Sequence, residues 1–154
     1  MWLELARDDD FVGVQNYERA RYDANGEVPP PPGAPLNQLS SSDIYPPSLA
    51  GAVRYAHEAT GVPVFVTEHG LGHVDDTLRA ALLKPALAGL LDAVEDGVPV
   101  LGYLHWSLLD NFEWVFGFDV RFGLHEVDRA AFTRTPKPSA AVYSAIARAN
   151  GGSL

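Results

Sequence analysis

The sequence predicts an α/β fold built on a parallel sheet. Three features carry that expectation: short apolar runs of strand length, stretches of i, i+3, i+4, i+7 periodicity between them, and two copies of Gly-Val-Pro-Val. Phe11-Val12-Gly13-Val14-Gln15 is apolar, rich in β-branched residues and bounded by polar ones, which reads as a buried strand. From Asn25 to Pro47 the chain carries Asn25-Gly26, Pro29 to Pro32, Gly33, Pro35 and Ser40 to Ser42, the composition of a long irregular loop. The four prolines read either as loop stiffening or as a ligand for an aromatic groove. Leu49, Ala52, Val53 and Ala56 then define a helix opened behind Pro46-Pro47-Ser48 and ended by Gly61. Val62 to Thr67 is apolar on both faces, as strands of covered parallel sheets are. Asp75-Asp76 caps a helix running to about Asp96, with Leu87, Leu90, Leu91 and Val94 on one face, Gly97 as the stop, and Pro85 expected to kink or split it. Val98 to His105 is the third strand run, and Val142, Ala145, Ile146 and Ala149 mark a last helix from Pro138-Ser139 to Gly151. Both Gly-Val-Pro-Val copies, Gly61 to Val64 and Gly97 to Val100, sit where a helix hands over to a strand, the rhythm of a βα barrel.

Composition narrows the function. The 154 residues are 47% hydrophobic and 20% charged, enough for one packed domain. A formal net charge of -9 disfavours nucleic acid and anionic membrane surfaces as partners. Zero cysteines exclude disulfides, thiolate metal sites and a cysteine nucleophile. The amino-terminal stretch, with Arg7 and Asp8-Asp9-Asp10, lacks the basic and apolar regions of a signal peptide, so a cytoplasmic location is expected. The histidines His57, His69, His73, His105 and His125 form no HExxH pattern, and neither metal nor cofactor is expected.

In parallel α/β folds, substrate meets the chain just past the carboxyl ends of the strands. Those positions hold Gln15-Asn16-Tyr17, Thr67-Glu68-His69-Gly70 and the stretch from Trp106 to Trp114. A carboxylate at the mouth of an apolar strand, with a tyrosine to hydrogen-bond it, suits a nucleophile or base, so Glu68 stands out. A solvated strand-end acid, or a cap for the next helix, fits the position equally well. Trp106, Asp110, Asn111, Glu113 and Trp114 combine indole faces with hydrogen-bonding groups, a mixture suited to sugar rings and hydroxyls, although core packing and turn chemistry use the same residues.

Thr67-Glu68-His69-Gly70, followed by Trp106-Ser107-Leu108-Leu109-Asp110-Asn111-Phe112-Glu113-Trp114 and Arg121-Phe122-Gly123-Leu124, closely resembles glycoside hydrolase family 1, the β-glucosidase and β-galactosidase barrels. Asp10 to Tyr17, Ile44-Tyr45-Pro46 with Leu49, and Pro136 to Ala140 with Tyr143 extend the resemblance. It implies a partial (β/α)8 TIM barrel over residues 1–154, one incomplete domain containing roughly the sixth to eighth strands. By the same resemblance Glu68 matches the catalytic nucleophile and Tyr17 the tyrosine that hydrogen-bonds it. Trp106 matches the platform under the sugar, Glu113 the carboxylate that clasps two hydroxyls, with Trp114 beside it and Phe122 at the rim. Gln15 and His69 fall where the family usually has asparagine, a change in substrate positioning that leaves the carboxylate untouched. Ser42 and Ser48 replace a tryptophan and a glycine.

The implied activity is hydrolysis of terminal β-linked sugars with retention, which needs two carboxyl groups about 5–5.5 Å apart. The family's acid/base lies in an Asn-Glu-Pro motif, and no such tripeptide occurs in this sequence. The chain is therefore expected to be inactive alone, and its open barrel to self-associate or to bind a complementary amino-terminal barrel piece. A carbohydrate-binding module without catalysis and a relic are the alternatives.

Overall fold

The computed structural model describes residues 2–152 and 154; Met1 and Ser153, at the ends of the single domain expected over 1–154, lie outside them. After a 3₁₀ turn over Trp2–Asp8 come β1 (Val12–Asn16), β2 (Arg21–Asp23), β3 (Gly26–Val28), α1 (Ser48–Thr60), β4 (Val64–His69), α2 (Asp76–Glu95) and β5 (Val100–His105). A second 3₁₀ turn over Trp114–Phe116 leads to β6 (His125–Val127), β7 (Arg134–Pro136) and α3 (Pro138–Arg148). Strands β1, β4 and β5 form a parallel sheet in that order, with Val12, Val64 and Val100 level with one another. The outer sides of β1 and β5 have no strand beside them among the described residues.

The parallel sheet buries one of its faces against the helices. Val12, Val14, Val64 and Val66 face the helices and join Leu49, Val53 and Ala56 of α1 with Leu82, Leu83, Ala86, Leu87, Leu90 and Ala93 of α2. Each Gly-Val-Pro-Val makes the same handover. Gly61 (φ 77°) and Gly97 (φ 95°) take the left-handed conformation that ends the preceding helix. The carbonyls of Pro63 and Pro99 then accept from Val12 N and Val64 N at 2.9 Å, starting the ladder to the neighbouring strand.

The structure corrects the sequence reading in several places. Pro85 lies inside α2 without splitting it, and the helix runs on over 20 residues. Of the face expected on α2, Leu87 and Leu90 are buried, but Leu91 and Val94 are exposed, because α3 packs against one flank of α2 and leaves an open groove of about 460 Å³ between α2, α3 and β5. The loop expected from Asn25 contains β3, which returns against β2 through the turn Ala24-Asn25 and opens with Gly26 at φ 125°. The stretch after β5 contains the antiparallel pair β6–β7. Strands this short carry too few residues for a period to register.

One buried ion network fixes the loops around the strand ends. Arg79, wholly buried on α2, donates to the carbonyls of Leu71, His73 and Arg121 and pairs with Asp76. Asp76 also accepts from Ser139 N at 2.8 Å and Ser139 Oγ at 2.7 Å, joining the start of α2 to the start of α3. Burial opposes charge on Asp76, yet these donors hold its carboxyl below the ordinary range. Asp75, beside it, is the true cap of α2 and accepts from Thr77 N at 2.9 Å. No helix among the described residues is long and apolar enough to cross a membrane.

Candidate functional site

The site gathers at the carboxyl ends of β1, β4 and β5. Glu68 lies within β4, with Gln15 of β1 as its register partner. Just past β1, Tyr17 donates its hydroxyl to Glu68 Oε2 at 2.5 Å. Burial raises the tyrosine's pKa, and the hydrogen bond to Glu68 together with the charges of Glu68 and Glu113 raises it further, so the phenol stays protonated as a donor. One oxygen of the carboxylate is thereby engaged, and the orientation of the other is fixed with it.

Tyr17 is itself held from beneath. Its ring meets Phe122 edge to face, with centroids 5.7 Å apart and planes at 80°. Phe122 is only 1% exposed, so it stands under the tyrosine rather than at the expected rim. Gly72 makes room for it: a Cβ there would fall 2.7 Å from Phe122 Cζ.

Trp106 follows β5 and donates its backbone N–H to His69 O at 2.9 Å, which brings the ends of β4 and β5 together. Gly70 is required at that crossing, since a Cβ would lie 1.9 Å from Trp106 O. Glu113 is held by Asn111, whose Nδ2 donates to Oε2 at 3.0 Å. A tight turn supports it, with Glu113 N donating to Gly117 O at 2.6 Å and Phe116 N to Glu113 O at 2.8 Å. Trp114 is 82% exposed. Asp110 serves this loop internally: its Oδ1 accepts from Lys137 Nζ at 2.7 Å and from Gly123 N at 2.9 Å.

Sequence reasoning missed several residues that build this arrangement. Gly70 is legible only as a helix breaker, because the carbonyl it must clear arrives from 36 positions away. Tyr103 of β5 bridges two histidines, and Lys137 neutralises Asp110; both pairings arise from tertiary contacts without a local motif. Among the described residues, no group of three or more His, Cys, Asp or Glu side chains could hold a metal ion.

The parallel α/β sheet thus carries a tyrosine-bound glutamate, indoles and a second carboxylate at and just beyond its strand ends. The family is explicit in the comparison with known proteins: the model for glycosyl hydrolase family 1 matches residues 6–152, and the chain belongs to that family. It is 40% identical over 110 residues to a beta-galactosidase of Pyrococcus woesei, covering 71% of this chain and 21% of that protein. It is also 40% identical over 121 residues to beta-glucosidase 1 of Oryza sativa subsp. japonica, covering 70% of this chain and 23% of that protein. Among solved structures, it superimposes on the beta-glycosidase BGL167 with a TM-score of 0.90 at 45% identity, over 97% of this chain and 36% of that one. The family 1 b-glucosidase from Thermotoga maritima matches with a TM-score of 0.81 at 31% identity, over 92% of this chain and 35% of that one. The chain thus spans under a quarter of these two curated relatives and about a third of these solved chains.

Proposed function

We propose that this chain contributes the nucleophile side of a retaining β-glycosidase and corresponds to about the sixth to eighth strands of its barrel. The observation that carries the reading is the 2.5 Å hydrogen bond from Tyr17 to Glu68 at the strand ends. Glu68 attacks C1 of a terminal β-linked sugar while a carboxylic acid protonates the departing glycosidic oxygen, leaving a glycosyl ester on Glu68. Water, deprotonated by that same acid/base group, then attacks C1 and releases the sugar with its configuration retained. Tyr17 holds Oε2 throughout and limits the rotation of the carboxylate. Trp106 offers its face to the sugar ring, Glu113 accepts from two of its hydroxyls, and Trp114 and Gln15 flank it. Phe122 acts through Tyr17.

The acid/base carboxyl has no counterpart in this sequence, which lacks Asn-Glu-Pro. Turnover therefore requires the remaining barrel strands, which supply that group in a retaining glycosidase. The test mixes the chain with the complementary two thirds of BGL167, which it overlays over 36% of that structure, and follows an aryl β-glucoside. Turnover by the mixture, none by the chain alone, and loss of at least about a thousandfold with Glu68→Ala are expected. Saturable sugar binding without turnover would instead favour a binding module, and turnover indifferent to Glu68→Ala would remove Glu68 from its role.

A further inference from the structure

We propose that Tyr103, through a part-buried hydrogen-bonded chain with His69 and His105, is a positioning residue that sets Glu68 and Trp106 relative to each other. The proposal rests on Glu68 being the nucleophile. Consecutive strand residues face opposite sides of a sheet, and the register shift that leaves Thr67 unpaired between Val66 and Glu68 reverses the alternation set by Val64 and Val66, so that His69 rather than Glu68 falls on the helix side. Glu68 stands at the strand mouth, and His69, the next residue, turns into the layer between sheet and helices, where it is 2% exposed. His69 Nδ1 lies 2.8 Å from Tyr103 Oη, and the same hydroxyl lies 3.0 Å from His105 Nδ1. His105 immediately precedes Trp106. A single phenol thus joins the residue after the carboxylate to the residue before the indole, and neither strand end can rotate without breaking one of its bonds.

The chemistry of the three groups assigns the protons. A phenol has one proton, so Tyr103 donates to one imidazole and accepts from the other. His105 Nε2 is buried without a partner, and an unpaired N–H there costs more than an unpaired lone pair. His105 therefore carries its proton on Nδ1 and donates to Tyr103, which donates to His69 Nδ1. Burial keeps both rings neutral, lowering His69 to about 4, while His105 falls to about 3 through burial and then the charges of His69 and Arg79. Tyr143 of α3 backs the chain, with centroids 6.2 Å from Tyr103 and 5.8 Å from His105.

The experiment uses the chain combined with the complementary piece of BGL167, with active barrels counted by stoichiometric labelling with a fluorosugar so that kcat refers to folded sites only. Tyr103→Phe and His69→Leu are expected to lower kcat about tenfold or more with KM changed less than about twofold. His69→Asn keeps an amide oxygen near the Nδ1 position and is expected to stay within about threefold of the parent. Nitrogen-15 spectra of the chain should show His105 as the Nδ1–H form and His69 as the Nε2–H form, with both signatures lost in Tyr103→Phe. If Tyr103→Phe and His69→Leu keep the parent kcat per labelled site while Glu68→Ala abolishes turnover, the positioning role is wrong. If the mixture shows no turnover, or turnover indifferent to Glu68→Ala, the nucleophile reading fails instead, and this inference with it.

Discussion

His69 and His105 make the stability of the chain depend on pH in a definite direction. Their folded-state pKa values, about 4 and about 3, lie below the ordinary histidine value of about 6.5 that they regain on unfolding. Between those limits the unfolded chain binds more protons than the folded one, so stability rises with pH from about 3 to about 6.5 and is lost on acidification through that window. Glu18, which burial and then Glu27 hold above the usual carboxyl range, works in the opposite direction, so the histidine part is isolated by difference. Unfolding free energies from urea titrations at pH 4.5 and pH 7, taken at fixed chain concentration, should differ by on the order of 5 kcal/mol, and His69→Asn should remove about half of that difference. An unchanged slope in His69→Asn would mean that the ring is not buried neutral. At this scale the sequence is legible where chemistry is announced by residue type. Glu68 after an apolar run and Tyr17 after another can be singled out, and the structure brings them to 2.5 Å. Phe122 is placed at the rim by the family resemblance alone, and whether its ring faces a ligand or supports a tyrosine depends on a contact with Tyr17 across more than a hundred residues.

The elements are legible in proportion to their length. Helices α1, α2 and α3 and strands β1, β4 and β5 each carry enough apolar positions to impose a period, and the sequence predicts all six. The hairpins β2–β3 and β6–β7 are three residues a side and escape it. Strand β4 runs two residues further toward the carboxyl end than its apolar run, so Glu68 and His69 lie in the strand itself, where pleating sends one to the mouth and the other to the core. Two glycines test how elements meet. Gly51 in α1 would place a Cβ with nothing within 4 Å of it, so Gly51→Ala should stabilise by about 1 kcal/mol through helix propensity. Gly70→Ala should destabilise by about 3 kcal/mol, since Trp106 O must move away and the ends of β4 and β5 must part. Equal effects of the two substitutions on the denaturation midpoint would show that the crossing of Gly70 and Trp106 is looser than the structure has it.

As a whole molecule, the chain has one covered sheet face and one bare one. Helices α1 and α2 cover Val12, Val14, Val64 and Val66, whereas Leu101 and Leu104 of β5 are 60% and 52% exposed. Edge strands on both sides add unpaired backbone groups, and apolar surface of this kind favours association. Light scattering of the purified chain should give a mass above the monomer, and the complementary barrel piece should compete for the same surface. A monomer that unfolds cooperatively at all concentrations would contradict that expectation. The nucleophile assignment has a sharper test, in which the reconstituted barrel is treated with a 2-deoxy-2-fluoro β-glucoside and its peptides are mapped by mass spectrometry. An adduct on the peptide containing Glu68, absent in Glu68→Ala, is the expected result; an adduct on Glu113 or any other side chain would contradict the assignment.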